Sequence, residues 1–218
     1  MLAANHNNTD VGKFIVFEGI DGCGKTTQQQ LLHRYFVEHG KLAVITNEPT
    51  DNLIGRLIKK ALINPGLLNL DNLFDRQMAY LFVSDRFYHL YNQDNGIIAL
   101  TEQGFNVICS RYTLSSWAYN ASSPEQEDLI TCLNQNFPNP DLTLYLDLPV
   151  EESLNRTLSR NVSRGIVPEV YEQKAKLVEV RQNFERIFND YEGNWQRIDA
   201  TVDIESVHQQ IITAVSQL

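Results

Sequence analysis

Residues Gly19-Ile20-Asp21-Gly22-Cys23-Gly24-Lys25-Thr26 read G-x-x-x-x-G-K-T, followed by Thr27. This pattern suits a polyanion. Glycines let successive backbone N–H groups turn inward around phosphate oxygens, Lys25 can reach the β- and γ-phosphates, and the Thr26 hydroxyl can ligand Mg²⁺. The context fits. Phe14-Ile15-Val16-Phe17 is a short apolar run of the buried-strand kind, and Thr27 to His39 carries Leu31, Leu32, Tyr35 and Phe36 at helical spacing. Strand, loop and helix in that order confirm the motif. Cys23 lies just before a helix N-terminus, where a thiol pKa can fall, but a small residue filling the loop is the plainer reading.

Three further groups of residues could serve a phosphate reaction. Phosphoryl transfer asks for in-line positioning and positive charge near the moving oxygens. Arg111 follows an apolar run, where its guanidinium could clamp an acceptor phosphate with two hydrogen bonds; a surface arginine in a turn is the alternative. Asp85-Arg86-x-x-His89 places Asp85 and His89 on one helix face, with Phe82 one turn before Arg86. An aromatic face beside a donor suits a nucleobase, although a buried Phe with a solvated ion pair is the commoner arrangement. Arg156, Arg160 and Arg164 are spaced by four. If their helix continues they share a face and could close over donor phosphates, or they could simply favour the helix macrodipole.

The elements that must position these residues alternate. Strands are expected at Phe14–Phe17, Leu42–Thr46, Phe105–Cys109, Leu142–Leu146 and Trp195–Asp199. Helices are expected at Thr27–His39, Leu53–Ile63, from an Asp71 N-cap to about Tyr91, Gly96–Gln103, Thr113–Asn120, Pro124–Asn136, Val150–Arg160, Glu169–Tyr191 and Ile204–Gln217. This α/β alternation predicts a doubly wound five-stranded parallel sheet with helices on both faces, and the phosphate loop after the first strand makes the expected fold that of P-loop NTPases. Ligands bind beyond the carboxyl ends of such strands, which directs attention to residues 18–26, 47–49, 110–112 and Asp147. Residues 1–12 are expected to be a disordered tail and 13–218 a single domain. A lid is expected at about 160–168, irregular from Asn161 to Pro168, where Gly165 and Pro168 permit movement.

The net charge of −9 argues against a nucleic-acid polymer as partner, and no apolar run approaches membrane-spanning length. Three cysteines, Cys23, Cys109 and Cys132, show no metal-ligand spacing and read as reduced thiols of a cytoplasmic protein.

Phe17-Glu18-Gly19-Ile20-Asp21-Gly22-x-Gly24-Lys25-Thr26-Thr27-Gln28 resembles the opening of thymidylate kinases. So do Glu48-Pro49, Asp85-Arg86-x-x-His89 and Arg111-Tyr112-x-x-Ser115-Ser116-x-Ala118-Tyr119. Pro140-Asp141-Leu142-x-Leu144-Tyr145-Leu146-Asp147 is similar to the family's fourth-strand signature. The match runs in the family's order from about residue 13 to 199. The resemblance implies transfer of the γ-phosphoryl of ATP to dTMP with Mg²⁺ as cofactor, in an enzyme that is commonly a homodimer. It implies that Gly19 to Thr27 hold ATP, with Thr26 and Asp21 at the metal. Asp21, Glu48, Ser115 and Ser116 would line the acceptor, Phe82 would stack on thymine, and Arg86 would bond its edge. Arg111 would hold the monophosphate, and Tyr119 would lie under the deoxyribose. Family members carry the transition-state arginine either in the phosphate loop or on the lid. Gly22 occupies the loop position here, so the resemblance assigns that role to Arg160 and Arg164, beside Lys25 and Arg111 as catalytic residues.

The chain departs from the pattern at three positions. Ser110 stands where the family usually has a metal-binding Asp, leaving Asp21 and Glu18 as nearby acidic candidates. Asn47 replaces an Arg, and Asn120 a Gln. Two other readings stay open: a related nucleoside or nucleotide kinase with another acceptor, and a nucleotide-binding protein without turnover.

Overall fold

The computed structural model describes residues 11–68, 73–121, 123–164 and 170–218, with side chains omitted at 160–164 and 170. Five strands, β1 (Phe14–Glu18), β2 (Ala43–Asn47), β3 (Asn106–Ser110), β4 (Leu142–Asp147) and β5 (Trp195–Asp199), form one sheet in the order β2-β3-β1-β4-β5. Every pairing is parallel, with Ile15 opposite Ile108 on one side and Leu142 on the other. The expected α/β architecture is therefore the observed one.

Strand β1 shows why the sheet is covered on both faces. Its alternate residues Ile15 and Phe17 enter the larger core, beside Leu32 and Phe36. Phe14 and Val16 enter a smaller core with Leu90, Ile97, Val107 and Cys109. A fully buried parallel strand needs apolar side chains at every position, which is how these residues read.

The helices are α1 (Lys25–Glu38), α2 (Leu53–Ile63), α3 (Phe74–Tyr91), α4 (Ile97–Glu102), α5 (Thr113–Asn120), α6 (Pro124–Asn134), α7 (Val150–Arg164), α8 (Lys174–Asp190) and α9 (Ile204–Val215). Several starts are written locally. Asn52 accepts from Gly55 N at 2.8 Å, Ser123 precedes Pro124 and accepts from Gln126 N, and Asp203 accepts from Glu205 N and Ser206 N. The stack Tyr145–Phe188–Trp195, with centroids 4.6 and 4.5 Å apart, pins α8 to β4 and β5.

Three expectations need correction. Helix α7 does not stop at Arg160 but runs to Arg164, because nothing between these residues breaks a helix: the Gly and Pro come later. The long helix α8 begins at Lys174, after a short 3₁₀ turn at Val170–Glu172. Gly12, assigned to the tail, is buried and donates to Thr101 O at 2.8 Å, so the chain is anchored from there. The remainder of the expected tail, the Asp71 cap and residues 165–168 of the expected lid lie outside the described residues.

Candidate active site

The phosphate loop leaves β1 and enters α1. Gly24 precedes the helix with φ +103°, a conformation in which glycine is the natural residue, and no side chain caps the helix N-terminus. A Cβ built at Gly24 would meet nothing within 4 Å, so the loop is open on this side. The first N–H groups of α1 are thus left for an anion. Lys25 is buried and folds over the loop, donating to Gly19 O and Ile20 O at 2.9 Å each. Burial holds its pKa below the ordinary lysine value, and the Arg111 charge adds to that effect. Ile20 and Cys23 turn into the core, so their share of the loop is backbone.

Around this loop lies an open cleft. Residues 21–28 line it on one side, while Arg156, Ala200, Asp203 and Ile204 close the other. Arg156 donates to Ala200 O at 3.2 Å, which fixes the distal wall. That wall has no motif context, so sequence reading placed no site residue there beyond the arginine spacing.

A second cavity is lined by Phe82, Arg86, Arg111, Ser115, Ser116, Tyr119 and Tyr171, among others. It brings together the expected acceptor residues of α3 and α5. Arg86 is 1% exposed and is gripped from several sides. It pairs with Glu48 Oε2 at 2.7 Å and donates to Asn134 Oδ1, to Tyr112 O at 2.9 Å and to Ser116 Oγ at 3.2 Å. The Tyr112 and Phe137 rings flank its guanidinium. The solvated pair contemplated from sequence is instead a buried one. Glu48 is also bound through Oε1 to His89 Nδ1 at 3.1 Å, and His89 Nε2 meets Thr46 Oγ1 at 2.6 Å. Both carboxylate oxygens of Glu48 thus serve to orient Arg86 and His89. Asp85 is buried and accepts from Thr50 N and Oγ1, tying α3 to the segment before α2.

Arg111 leaves β3 in a left-handed conformation, φ +67°, rare for a residue with a side chain. Its Nη2 pairs with Asp21 Oδ1 at 2.7 Å and donates to Tyr119 OH at 2.9 Å. Its Nη1 donates to Ser115 Oγ at 3.2 Å. Burial opposes the charge, but Asp21 and Tyr119 outweigh it and hold the Arg111 pKa well above its usual value. Asp21, Glu48 and Arg111 line both this second cavity and the phosphate-loop cleft, so the two spaces lie side by side at these residues.

Glu18 departs from its expected place as a metal candidate. It is fully buried, accepting from Tyr112 N at 2.9 Å and Ser115 N at 3.1 Å through Oε1, and from Ser115 Oγ at 2.5 Å through Oε2. It caps the N-terminus of α5 from a neighbouring strand. Burial raises its pKa, against the pull of these bonds and of Arg111. Among the described residues no group of three or more His, Cys, Asp or Glu could hold a metal by itself. The exposed Thr26 and the cleft-lining Asp21 fit an ion held mainly by phosphate oxygens and water, as Mg²⁺ usually is.

Comparison with known proteins agrees with this geometry. The family model for thymidylate kinase matches residues 17–211. The chain belongs to the thymidylate kinase family. A "Probable thymidylate kinase" of Pyrococcus abyssi is 36% identical over 204 residues, covering 94% of this chain and 96% of the relative. A protein of the same description from Thermococcus kodakarensis is 36% identical over 208 residues, covering 94% and 98%, and one from Methanococcus aeolicus is 35% identical over 207, covering 93% and 95%. The likeness to thymidylate kinases thus spans both cavities.

Tyr171, Asn134 and Phe137 were missed by sequence reading. Tyr171 is buried beside Tyr119, donates to Asp75 Oδ1 at 2.7 Å and accepts from Asn120 Nδ2 at 2.9 Å. Asn120, where the family pattern has Gln, therefore lines the second cavity with its amide engaged by Tyr171. Asn47, at the family's Arg position, donates to Pro49 O at 2.6 Å. Arg164 ends α7 and Arg160 lies one turn before it; their side chains are outside the described residues.

Proposed function

We propose that this protein is a dTMP kinase, transferring the γ-phosphoryl of ATP to dTMP to give dTDP and ADP. The observation that carries the reading is that an acceptor cavity lined by Phe82, Arg86 and Tyr119 shares Asp21, Glu48 and Arg111 with a donor cleft around the phosphate loop. Phe82 offers a face for thymine, Arg86 and Ser116 the polar groups at its edge, and Tyr119 a floor that disfavours a 2′-hydroxyl. Arg111, held by Asp21 and Ser115, presents its charge where the acceptor phosphate would arrive.

The donor phosphates would take the backbone N–H groups of Gly22 to Thr27 and the ammonium of Lys25, which then exchanges two carbonyls for phosphate oxygens. The adenosine would extend towards Arg156 and Ala200. Mg²⁺, held by Thr26 with Asp21 nearby, would neutralise charge on the transferred group. No general base is needed, because a phosphate monoester has a second pKa near 6 and is mostly dianionic at pH 7. The task is to bring two anions together, and arginines do this. We assign Arg160 and Arg164 to the charge that develops on the moving phosphoryl.

The test is product analysis. With ATP, MgCl₂ and dTMP, chromatography should show dTDP and ADP in equal amounts. ATP binding without any dTDP would leave the non-catalytic reading.

We further propose a cytoplasmic homodimer of single-domain chains. Cys23, Cys109 and Cys132 are all free. On α3, Tyr80, Phe87 and Tyr91 form an exposed stripe at helical spacing, with the Phe87 and Tyr91 rings 4.8 Å apart. Light scattering on the wild type and Phe87→Asp would show a dimer and a monomer respectively if that face is the contact.

A further inference from the structure

Helix α7 sits directly on the phosphate loop. Ser153 is fully buried and donates its Oγ–H to the Asp21 carbonyl. One turn later Thr157 is also buried. A Cβ built at Gly22 would stand 2.6 Å from both the Ser153 carbonyl oxygen and Thr157 Oγ1. Gly22 therefore has no room for a side chain, apart from the demand of its φ of +78°. Thr157 Oγ1 has no hydrogen-bond partner among the described residues. At this seat Ser153 supplies a polar contact and Thr157 supplies shape.

Helix α7 is continuous to Arg164. Positions 153, 157, 160 and 164 follow an i, i+4, i+7, i+11 pattern and share one helix face. A rise of about 1.5 Å per residue puts position 160 roughly 10 Å from Ser153 along the axis. A small rotation or slide of α7 at its seat would therefore displace whatever the helix presents further along.

We infer that Ser153 is a positioning residue for phosphoryl transfer. Its bond to the Asp21 carbonyl fixes the rotation and height of α7 on the phosphate loop, and so fixes where the arginines at 160 and 164 are presented. The inference rests on the reading of those arginines given above. It also explains a feature of the loop. A side chain at position 22 would collide with the same helix that carries the arginines, so in this chain a loop arginine and a seated α7 exclude each other.

A double-mutant cycle tests it, using the full chain with dTMP, ATP and MgCl₂. Ser153→Ala should lower kcat about tenfold, since small misplacements at a reacting centre are costly, while both KM values change less than about twofold. In an Arg160→Ala/Arg164→Ala background the same change should lower kcat by less than about twofold, because nothing remains to be positioned. Melting temperatures should stay within a few degrees throughout. An unchanged kcat for Ser153→Ala would overturn the inference. So would the same tenfold factor in both backgrounds, which would place the effect in the loop, in Asp21 or in the fold. If the arginine pair can be removed with full kcat retained, the arginine assignment itself fails and the inference with it. That outcome is distinguishable, since it is read without any change at Ser153.

Discussion

The acceptor cavity and the donor cleft share three residues but are built by opposite means. The acceptor side is made of side chains that hold one another. Arg86 is fixed by Glu48, Asn134, Ser116 and the Tyr112 carbonyl, and Arg111 by Asp21, Ser115 and Tyr119. The donor side is mostly backbone: an uncapped helix start, glycines in left-handed conformation, and a lysine parked on two carbonyls. A nucleobase must be told from close relatives, and buried polar groups discriminate well because a wrong partner leaves them unpaired. A triphosphate needs only to be gripped, which N–H groups and one cation do for any nucleotide. The acceptor network should therefore be coupled to stability, while the donor loop should be coupled chiefly to rate.

The largest expected effect is on the donor side. Lys25→Ala should lower kcat about a thousandfold, at the upper end of what removing one charge-stabilising donor does, while the melting temperature moves only slightly. Steady-state assays beside thermal melts check both halves; a large loss of stability would break the comparison. Next comes Glu48→Ala, which leaves the Arg86 charge buried without its carboxylate. It should cost about 3–5 kcal/mol in denaturant unfolding and raise the KM for dTMP. Retained stability would show that the acceptor network is not structural.

A smaller effect is expected at the metal. Ser110→Asp restores a carboxylate to the wall of the donor cleft and should lower the Mg²⁺ concentration for half-maximal rate several-fold, as an added charged ligand does. An unchanged Mg²⁺ titration would count against that role. The smallest concerns Glu18. Its pKa is raised in the fold, so over acidic pH the native chain keeps a proton that the unfolded chain has released. Stability from this group falls as pH rises from about 4.5 towards the raised value, then levels. Unfolding measured across that window should lose this slope in Glu18→Gln, which keeps an oxygen to accept from Tyr112 and Ser115.

Much of this was legible in the residues. Trp195–Asp199, Leu53–Ile63 and Thr113–Asn120 have the bounds read from sequence, because periodicity, caps and breakers coincide there. Phe82, Arg86, Arg111, Ser115, Ser116 and Tyr119 were also expected together and do line one cavity. What was not legible is the use each polar group is put to. The burial of Arg86 depends on Glu48, Tyr112, Ser116 and Asn134, separated from it by 26 to 48 residues, and no local pattern announces such partners. Glu18 read as a metal candidate because it adjoins the loop; only the packing of α5 against β1 shows that its oxygens are occupied. Helix α7 ran past its expected end because the spacing from Arg156 to Arg164 is as helical as what precedes it.

The central claim is that the acceptor cavity is prearranged for a thymine deoxynucleotide. Its most direct test is ADP release measured with dTMP, dUMP, dCMP, dGMP and UMP under identical ATP and MgCl₂. The account predicts kcat/KM highest for dTMP, lower for dUMP, and lowest for dCMP, dGMP and UMP, the last rejected through Tyr119. Equal turnover of UMP and dTMP, or ATP binding with no turnover of any monophosphate, would contradict it.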